Sequence, residues 1–220
     1  MRLLLLWLEA PLMSFGGHSK WDDRDSEAMP TRSMLLGMIA CCMGLKRGEP
    51  ELERMHRALE LGIRGDRQGR MITDFQTIQG MRSGLLNAEG VKRGGGNTFI
   101  SRRQYIEDAA FFVAISGGDA LLDDCCRALR NPVWPPFLGR KSCPPTVPIC
   151  IGIREEYDSI EDAMRRYPID KRASKHIVTY IEDAKGAISR MTRLVDASNR
   201  TFTQQRIRTV AVDVTEEVRV

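Results

Sequence analysis

Few residues in this chain have the type and spacing that chemistry needs. The three histidines are His18, His56 and His176. His18 stands in a glycine-containing loop beside Ser19 and Lys20, where an imidazole can act as general base on an RNA 2′-hydroxyl. Lys20 or Tyr105 would then assist at the scissile phosphate. A lone loop histidine is more often surface decoration, and that is the plainer reading here. His56, within ERMHRALE, reads as a solvated helical residue, and His176 opens a strand. Asp22, Asp23 and Asp25 resemble part of a calcium loop but lack its glycine and distal glutamate. Lys20 and Arg24 balance them. In FLGRKSCPP, Lys141-Ser142 follows a glycine as in a phosphate loop, yet position 134 is tryptophan, Arg140 intervenes and Pro144-Pro145 forbid the helix. What remains is a positive knob braced by prolines, or a charged surface turn.

The six cysteines include two adjacent pairs, Cys41-Cys42 and Cys125-Cys126, and none stands in the C-x₂₋₄-C spacing of a zinc site. Buried, reduced thiols in a cytoplasmic protein are expected. There is no serine elbow, carboxylate pair or metal box, so neither cofactor nor metal is predicted. Trp7 and Trp134 read as core or interface residues, and Trp21 as a possible stacking partner for a base.

Binding is better served than catalysis. Residues 82–103 carry five cations, Arg82, Lys92, Arg93, Arg102 and Arg103, against the single anion Glu89. Their formal charge of +4 equals that of the whole chain, so everything else sums to about neutral. Five glycines accompany them and few residues there could fill a core. A glycine-rich cationic excursion either stays disordered or orders on a polyanion. RRQYIEDAAFFVAI follows directly and reads as a strand entering a core, so the finger is anchored and reads as a nucleic-acid contact. Phe99 or Tyr105 would offer a face to an unpaired base. A solvated hairpin tip is the plainer alternative.

The elements that must position these residues follow from periodicity. An apolar strand over residues 2–8 precedes a loop over 11–29. Helices are predicted from Pro30-Thr31 to about Leu45 and from Glu51 to about Leu61, then a charged turn over 65–69. Strands at 71–78 and 105–115 flank the finger. A helix over 120–129 leads to the proline-rich loop 132–148, a strand over 146–153 and a short helix over 159–167. His176 to Glu182 and Ile207 to Val214 read as strands, and 183–205 stays open between helix and loop. At 220 residues, 42% hydrophobic and 28% charged, this is a soluble globular composition. The N-terminal MRLLLLWLEAP is too short and too soon interrupted by Glu9 for a secretory signal. Strands interleaved with one-sided helices predict an α+β fold of ferredoxin-like (RRM-like) type.

Four ordered blocks then resemble the CRISPR-associated CasD family: EAPLMSFGG, PTRSMLLGMIACCMG, NTFISRRQYIEDAAF and FLGRKSCPP. The family starts with Gly-Pro-Leu-Gln-Ser-Trp-Gly. Ala10, Met13 and Phe15 depart from that start, while Ser14 and Gly16 match it. The resemblance implies a single RAMP-type domain over 1–220, an RRM-like palm with a protruding basic thumb at 79–103. It further implies a cytoplasmic, non-catalytic, RNA-binding subunit of a type I-E Cascade complex acting in antiviral defence. Such a subunit holds the 5′ handle of the guide RNA, contacts the large and backbone subunits, meets target DNA only through the complex and has no membrane role. Arg82, Lys92, Arg93, Arg102 and Arg103 would clamp phosphates along the thumb. Arg32 would join helix-start amides on an anion, Ser14 and Lys20 would line the first loop, and Arg140, Lys141 and Ser142 the knob, with Tyr105 at the thumb's root. Two other functions compete: a metal-independent endoribonuclease using His18, and a scaffold whose finger docks on an acidic protein surface.

Overall fold

The apolar N-terminal run forms β1 (Leu3–Met13), which runs five residues past the predicted end at residue 8. Leu3, Leu4, Leu5, Leu6 and Leu8 are all fully buried, which requires cover on both faces of a sheet. A computed structural model supplies that cover and describes residues 1–17, 22–79, 85–86, 92–93, 98–196 and 201–212. After β1 come the short β2 (Asp23–Arg24), α1 (Arg32–Met43) and α2 (Pro50–Ala58). Then follow β3 (Glu60–Arg67), β4 (Arg70–Gln79), β5 (Leu85–Leu86), β6 (Lys92–Arg93) and the long β7 (Thr98–Ser116). The chain continues through α3 (Asp119–Arg130), β8 (Cys150–Arg154), α4 (Ile160–Arg166), β9 (Val178–Glu182), β10 (Ile188–Asp196) and β11 (Thr201–Thr209). The fold is mixed α+β. Among the described residues no helix is long and apolar enough to cross a membrane.

Local rules place the helices. Thr31 caps α1, its hydroxyl accepting from the Met34 amide at 3.3 Å, and Ser159 caps α4 by accepting from Asp162 at 3.0 Å. Pro50 opens α2, with Glu51 and Glu53 in its first turn where the helix dipole favours anions. The sheet runs β10-β11-β9-β3-β7-β1-β8. Alternate residues of β1 face opposite cores: Leu4, Leu6 and Leu8 meet α1, α2 and α3, while Leu3 and Leu5 meet Phe112, Tyr157 and α4.

Two predictions about the chain fail for one reason, buried charge. The stretch read as a charged turn at 65–69 lies mostly inside β3, where residues 61–67 are all buried. Arg64 makes this possible by meeting Asp66 through both carboxylate oxygens at 2.6 and 2.9 Å. Its remaining donors satisfy the carbonyls of Met164, Tyr167 and Pro168 at the end of α4. Arg32, expected to face an anion from a helix start, is 0% exposed. Its guanidinium pairs with Glu182 of β9 and donates to His56 O and Leu59 O at 2.6 and 2.7 Å. It ties α1, α2 and the sheet together and cannot reach a ligand. His56 is likewise buried rather than solvated, with Nδ1 accepting from the Leu194 amide at 3.1 Å. The tail over 183–205 resolves as β10 and the start of β11, an antiparallel pair, and β11 begins six residues earlier than the strand predicted at 207.

One bend organises the sheet. β3 and β4 pair in succession with β7, β3 with its C-terminal half and β4 with its N-terminal half. Between them lie Gly69 at φ +68° and, across the ladder, Asp108 at φ 50°. A Cβ on Gly69 would overlap the Glu107 carbonyl oxygen, so the bend needs glycine. Arg67 pins it, meeting Asp170 at 2.6 Å, Glu9 at 2.9 Å and the Asp108 carbonyl at 3.2 Å. Partial burial pushes the Glu9 carboxyl up, but hydrogen bonds from Trp7 and Arg67 and the nearby Arg172 outweigh it and hold Glu9 below its ordinary range.

Two measurements test this framework. Arg32→Ala leaves Glu182 buried without its cation, and urea denaturation should show a loss of about 3–5 kcal/mol. The apolar pair Arg32→Met with Glu182→Leu should recover most of it, and a single-variant loss below about 1 kcal/mol would contradict the clamp. Glu9, ionised more readily folded than unfolded, contributes stability above its unfolded pKa that disappears as pH falls through the lower folded value. Glu9→Gln should therefore melt below the parent at pH 7, with the gap closing below about pH 4. A gap constant with pH would contradict it.

Candidate nucleic-acid interface

β1 stops pairing with β7 at Met13, opposite Ile106, and leaves the outer edge of β7 open beyond that point. β2 takes the place, running parallel to β7 with Asp23 beside Arg102 and Arg24 beside Arg103. The Arg102 amide donates to Asp22 O at 2.8 Å. The N-terminal half of β7 and all of β4 thus form an arm, and its legs begin near the bend, lower than the predicted boundary at 79. Arg82 and Lys20 lie outside the described residues, as does His18. Lys92 and Arg93 form β6, which pairs with Leu86 and Leu85 of β5.

Ser14 is the junction of three segments. Its amide donates to Leu138 O at 3.1 Å and its hydroxyl to Gln104 O of β7 at 3.1 Å. Gly139, at φ +95°, lies so close that a Cβ would overlap the Ser14 carbonyl oxygen. The end of β1, the base of the arm and the proline-rich loop therefore meet at one point. Ser26 adds a strut, its amide donating to Gln104 Oε1 and its hydroxyl accepting from the Phe15 amide. Ser14 is 2% exposed and Tyr105 5%, so neither offers its side chain to a ligand, contrary to the role predicted for each. Their polar atoms and faces are used inside the protein.

Tyr105 instead supports Arg140, whose guanidinium stacks over the phenol ring at 4.5 Å. Arg140 Nη2 donates to Arg24 O at 3.0 Å. Its Nη1 is shielded from solvent and has no hydrogen-bond acceptor among the described residues. A buried guanidinium nitrogen without an acceptor is rare in a finished fold and fits an anionic oxygen from outside. Lys141 and Ser142 stand exposed beside it. On β7, Arg103 lies directly across from Asp74, yet Asp74 accepts from Gln76 at 2.6 Å and Arg103 Nε turns to Ser101 Oγ at 3.3 Å. Arg102 is exposed and approaches the Phe75 ring at 5.8 Å.

Arg102, Arg103, Arg140 and Lys141 enter no ion pair among the described residues. Many arginines elsewhere do the opposite: Arg2, Arg64, Arg67, Arg70, Arg165, Arg166, Arg172 and Arg208 all meet carboxylates. These four cations lie together where the arm leaves the sheet. Two participants escaped sequence reading. Arg24 was assigned to balancing its neighbouring aspartates, but β2 pairing puts it beside Arg103 and under Arg140. Phe75, 55% exposed, is the described aromatic face on the arm, whereas the face predicted at Tyr105 is covered. An aromatic on the outward side of an alternating strand was the available signal.

No described group of histidine, cysteine or carboxylate could hold a metal ion. All six cysteines are free. Burial pushes the Cys125 thiol up to about 12 and those of Cys42 and Cys150 to about 11, so none is a reactive thiolate.

The chain as a whole matches a known family. Residues 3–214 match the family described as CRISPR-associated protein (Cas_Cas5), and the chain belongs to it. It is similar to the CRISPR system Cascade subunit CasD of Escherichia coli (strain K12), 27% identical over 178 residues, 76% of this chain and 77% of the relative. A solved chain from a CRISPR RNA-guided surveillance complex superposes with a TM-score of 0.80 at 29% identity, covering 98% of this chain and 92% of that one. A crystal structure of a Cas protein gives 0.71 at 28% identity, covering 94% and 93%.

Gly139 provides a direct test of the junction. Gly139→Ala combines a left-handed backbone with overlap at Ser14, a cost of at least about 2 kcal/mol. The melting temperature should fall by about 4–8 °C. An unchanged melting temperature would mean that loop and strand do not meet as described.

Proposed function

We propose that this protein is a non-catalytic, RNA-binding subunit of a CRISPR type I-E Cascade complex, holding the 5′ handle of the guide RNA and capping the backbone subunits in antiviral defence. The observation that carries the reading is the cluster of cations without carboxylate partners at the root of the arm, above all Arg140 with a shielded donor and no acceptor. Family membership and the resemblance to the Cascade subunit CasD support it. In this reading β8-β1-β7-β3, with α1 and α3, is a ferredoxin-like palm, β4 and the start of β7 are the legs of the thumb, and β9, β10 and β11 extend the sheet. The whole chain acts as one RAMP-type domain, working in the cytoplasm.

The physics of a held single strand assigns the roles. Arg102 and Arg103 point to opposite sides of β7, so they grip phosphates on either side of the thumb rather than one in concert. Arg140 and Lys141 receive the strand at the palm, with Ser142 as a donor or acceptor for a 2′-hydroxyl. Phe75 beside Arg102 offers a flat apolar face to an unstacked base. Lys20, Arg82, Lys92 and Arg93 complete the set of cations that bind the RNA in this reading. The large and backbone subunits are its protein partners, and target DNA is met only through them.

Replacing Arg102 and Arg103 together with alanine should weaken handle RNA binding and reduce the slope of log affinity against log salt by about 1.4, two phosphates' worth for a single strand. Electrophoretic or anisotropy titrations at several salt concentrations measure it, and an unchanged slope removes both residues from the site. The same RNA, incubated in chelator, should stay intact. A site-specific cut lost on His18→Ala would replace this reading with an endoribonuclease.

A further inference from the structure

On the helical side, the C-terminal part of α1, the turn after it, α2 and β10 enclose a cavity of about 510 Å³. Leu45, Leu52 and Leu194 contribute apolar floor and Trp134 forms a wall. Among the described residues, the only formally charged side chains lining it are Lys46 and Arg47, and no carboxylate lines it. Both are exposed, and neither enters an ion pair among the described residues.

The wall is built rather than incidental. Val133 N–H donates to Cys42 O at 2.9 Å, and the Val133 side chain packs against Gly44, leaving only 3.1 Å to where a Cβ would stand. Pro132, Pro135 and Pro136 stiffen the stretch further. Trp134 is nonetheless 42% exposed and Val133 62%. The floor is fixed as well, since the Leu194 amide donates to His56 Nδ1. A rigid, partly exposed tryptophan beside an apolar hollow, with charge confined to the rim, is the anatomy of a protein–protein anchor site.

We propose that this groove docks a peptide segment of a partner protein that carries a bulky apolar side chain and net negative charge. Charge complementarity selects that occupant: the hollow takes an apolar side chain, and two unpaired cations on the rim await carboxylates. A phosphate strand would meet two cations and an apolar floor, which suits it poorly. This site uses different residues from the RNA contacts proposed above.

Photo-crosslinking tests it in the complex in which the protein is purified. With Trp134→benzoylphenylalanine, illumination should give an adduct on another polypeptide chain, within a segment that is acidic overall and holds a large apolar residue. Lys46→Glu combined with Arg47→Glu, checked to melt like its parent, should lower the yield about tenfold, while Lys46→Arg with Arg47→Lys preserves it. An adduct on nucleic acid, on a second copy of this chain or on a basic segment overturns the proposal. So does a yield indifferent to charge reversal, or no adduct. An acidic-segment adduct in a preparation that holds no RNA would sustain this inference while counting against the RNA reading.

Discussion

A single strand, β7, must satisfy two environments at once. Nineteen residues at about 3.3 Å each extend roughly 60 Å, longer than the core can cover. Its C-terminal half, from Ala109 to Ile115, is completely buried between β1 and β3. Its N-terminal half leaves the core still hydrogen-bonded to β4. The arm therefore inherits its direction from the most rigid part of the molecule. The bend at Gly69 and Asp108 and the ion pairs of Arg67 set the angle at which it departs.

Arginine serves two opposite purposes here, and the difference is whether a carboxylate is within reach. Arg32 and Arg64 are fully buried, each neutralised by one acid and satisfied by backbone carbonyls, and they lock helices to the sheet. Breaking such a pair is costly because a charge is left in a low-dielectric interior. Arg102, Arg103 and Arg140 have no such acid among the described residues. Tyr105 beneath Arg140 and Arg24 O beside it fix its guanidinium in place, and a group so fixed would lose less entropy on meeting an anion.

The junction at Ser14 explains how distant stretches of sequence become one surface. A serine amide, a serine hydroxyl and a glycine with no room for a side chain join the end of β1, Gln104 of β7 and the loop at Leu138. Three of the four blocks of family resemblance meet there. The fourth, around Thr31 and Arg32, lies in the interior and sustains the fold instead of the site. A motif shared with a family thus mixes exposed cations with residues that only hold the fold in place.

The helices, β1 and the inner half of β7 were legible in the residues themselves, because apolar periodicity, Thr31, Ser159 and Pro50 act over a few neighbours; β3 was not, its charges reading as a turn. The concentration of charge in 82–103 was equally plain, as was the absence of metal-ligand spacing. Burial was not legible for Arg32, Arg64, His56 or Ser14, since each is polar and each is made tolerable by partners far along the chain: Glu182 for Arg32, and carbonyls at 164–168 for Arg64. Nor could the local pattern place Arg24 beside Arg103, or Tyr105 beneath Arg140. Short-range propensity depends on adjacent residues and can be read in one dimension. Which cation stays free depends on every carboxylate that folding brings near it, and only the assembled sheet decides that.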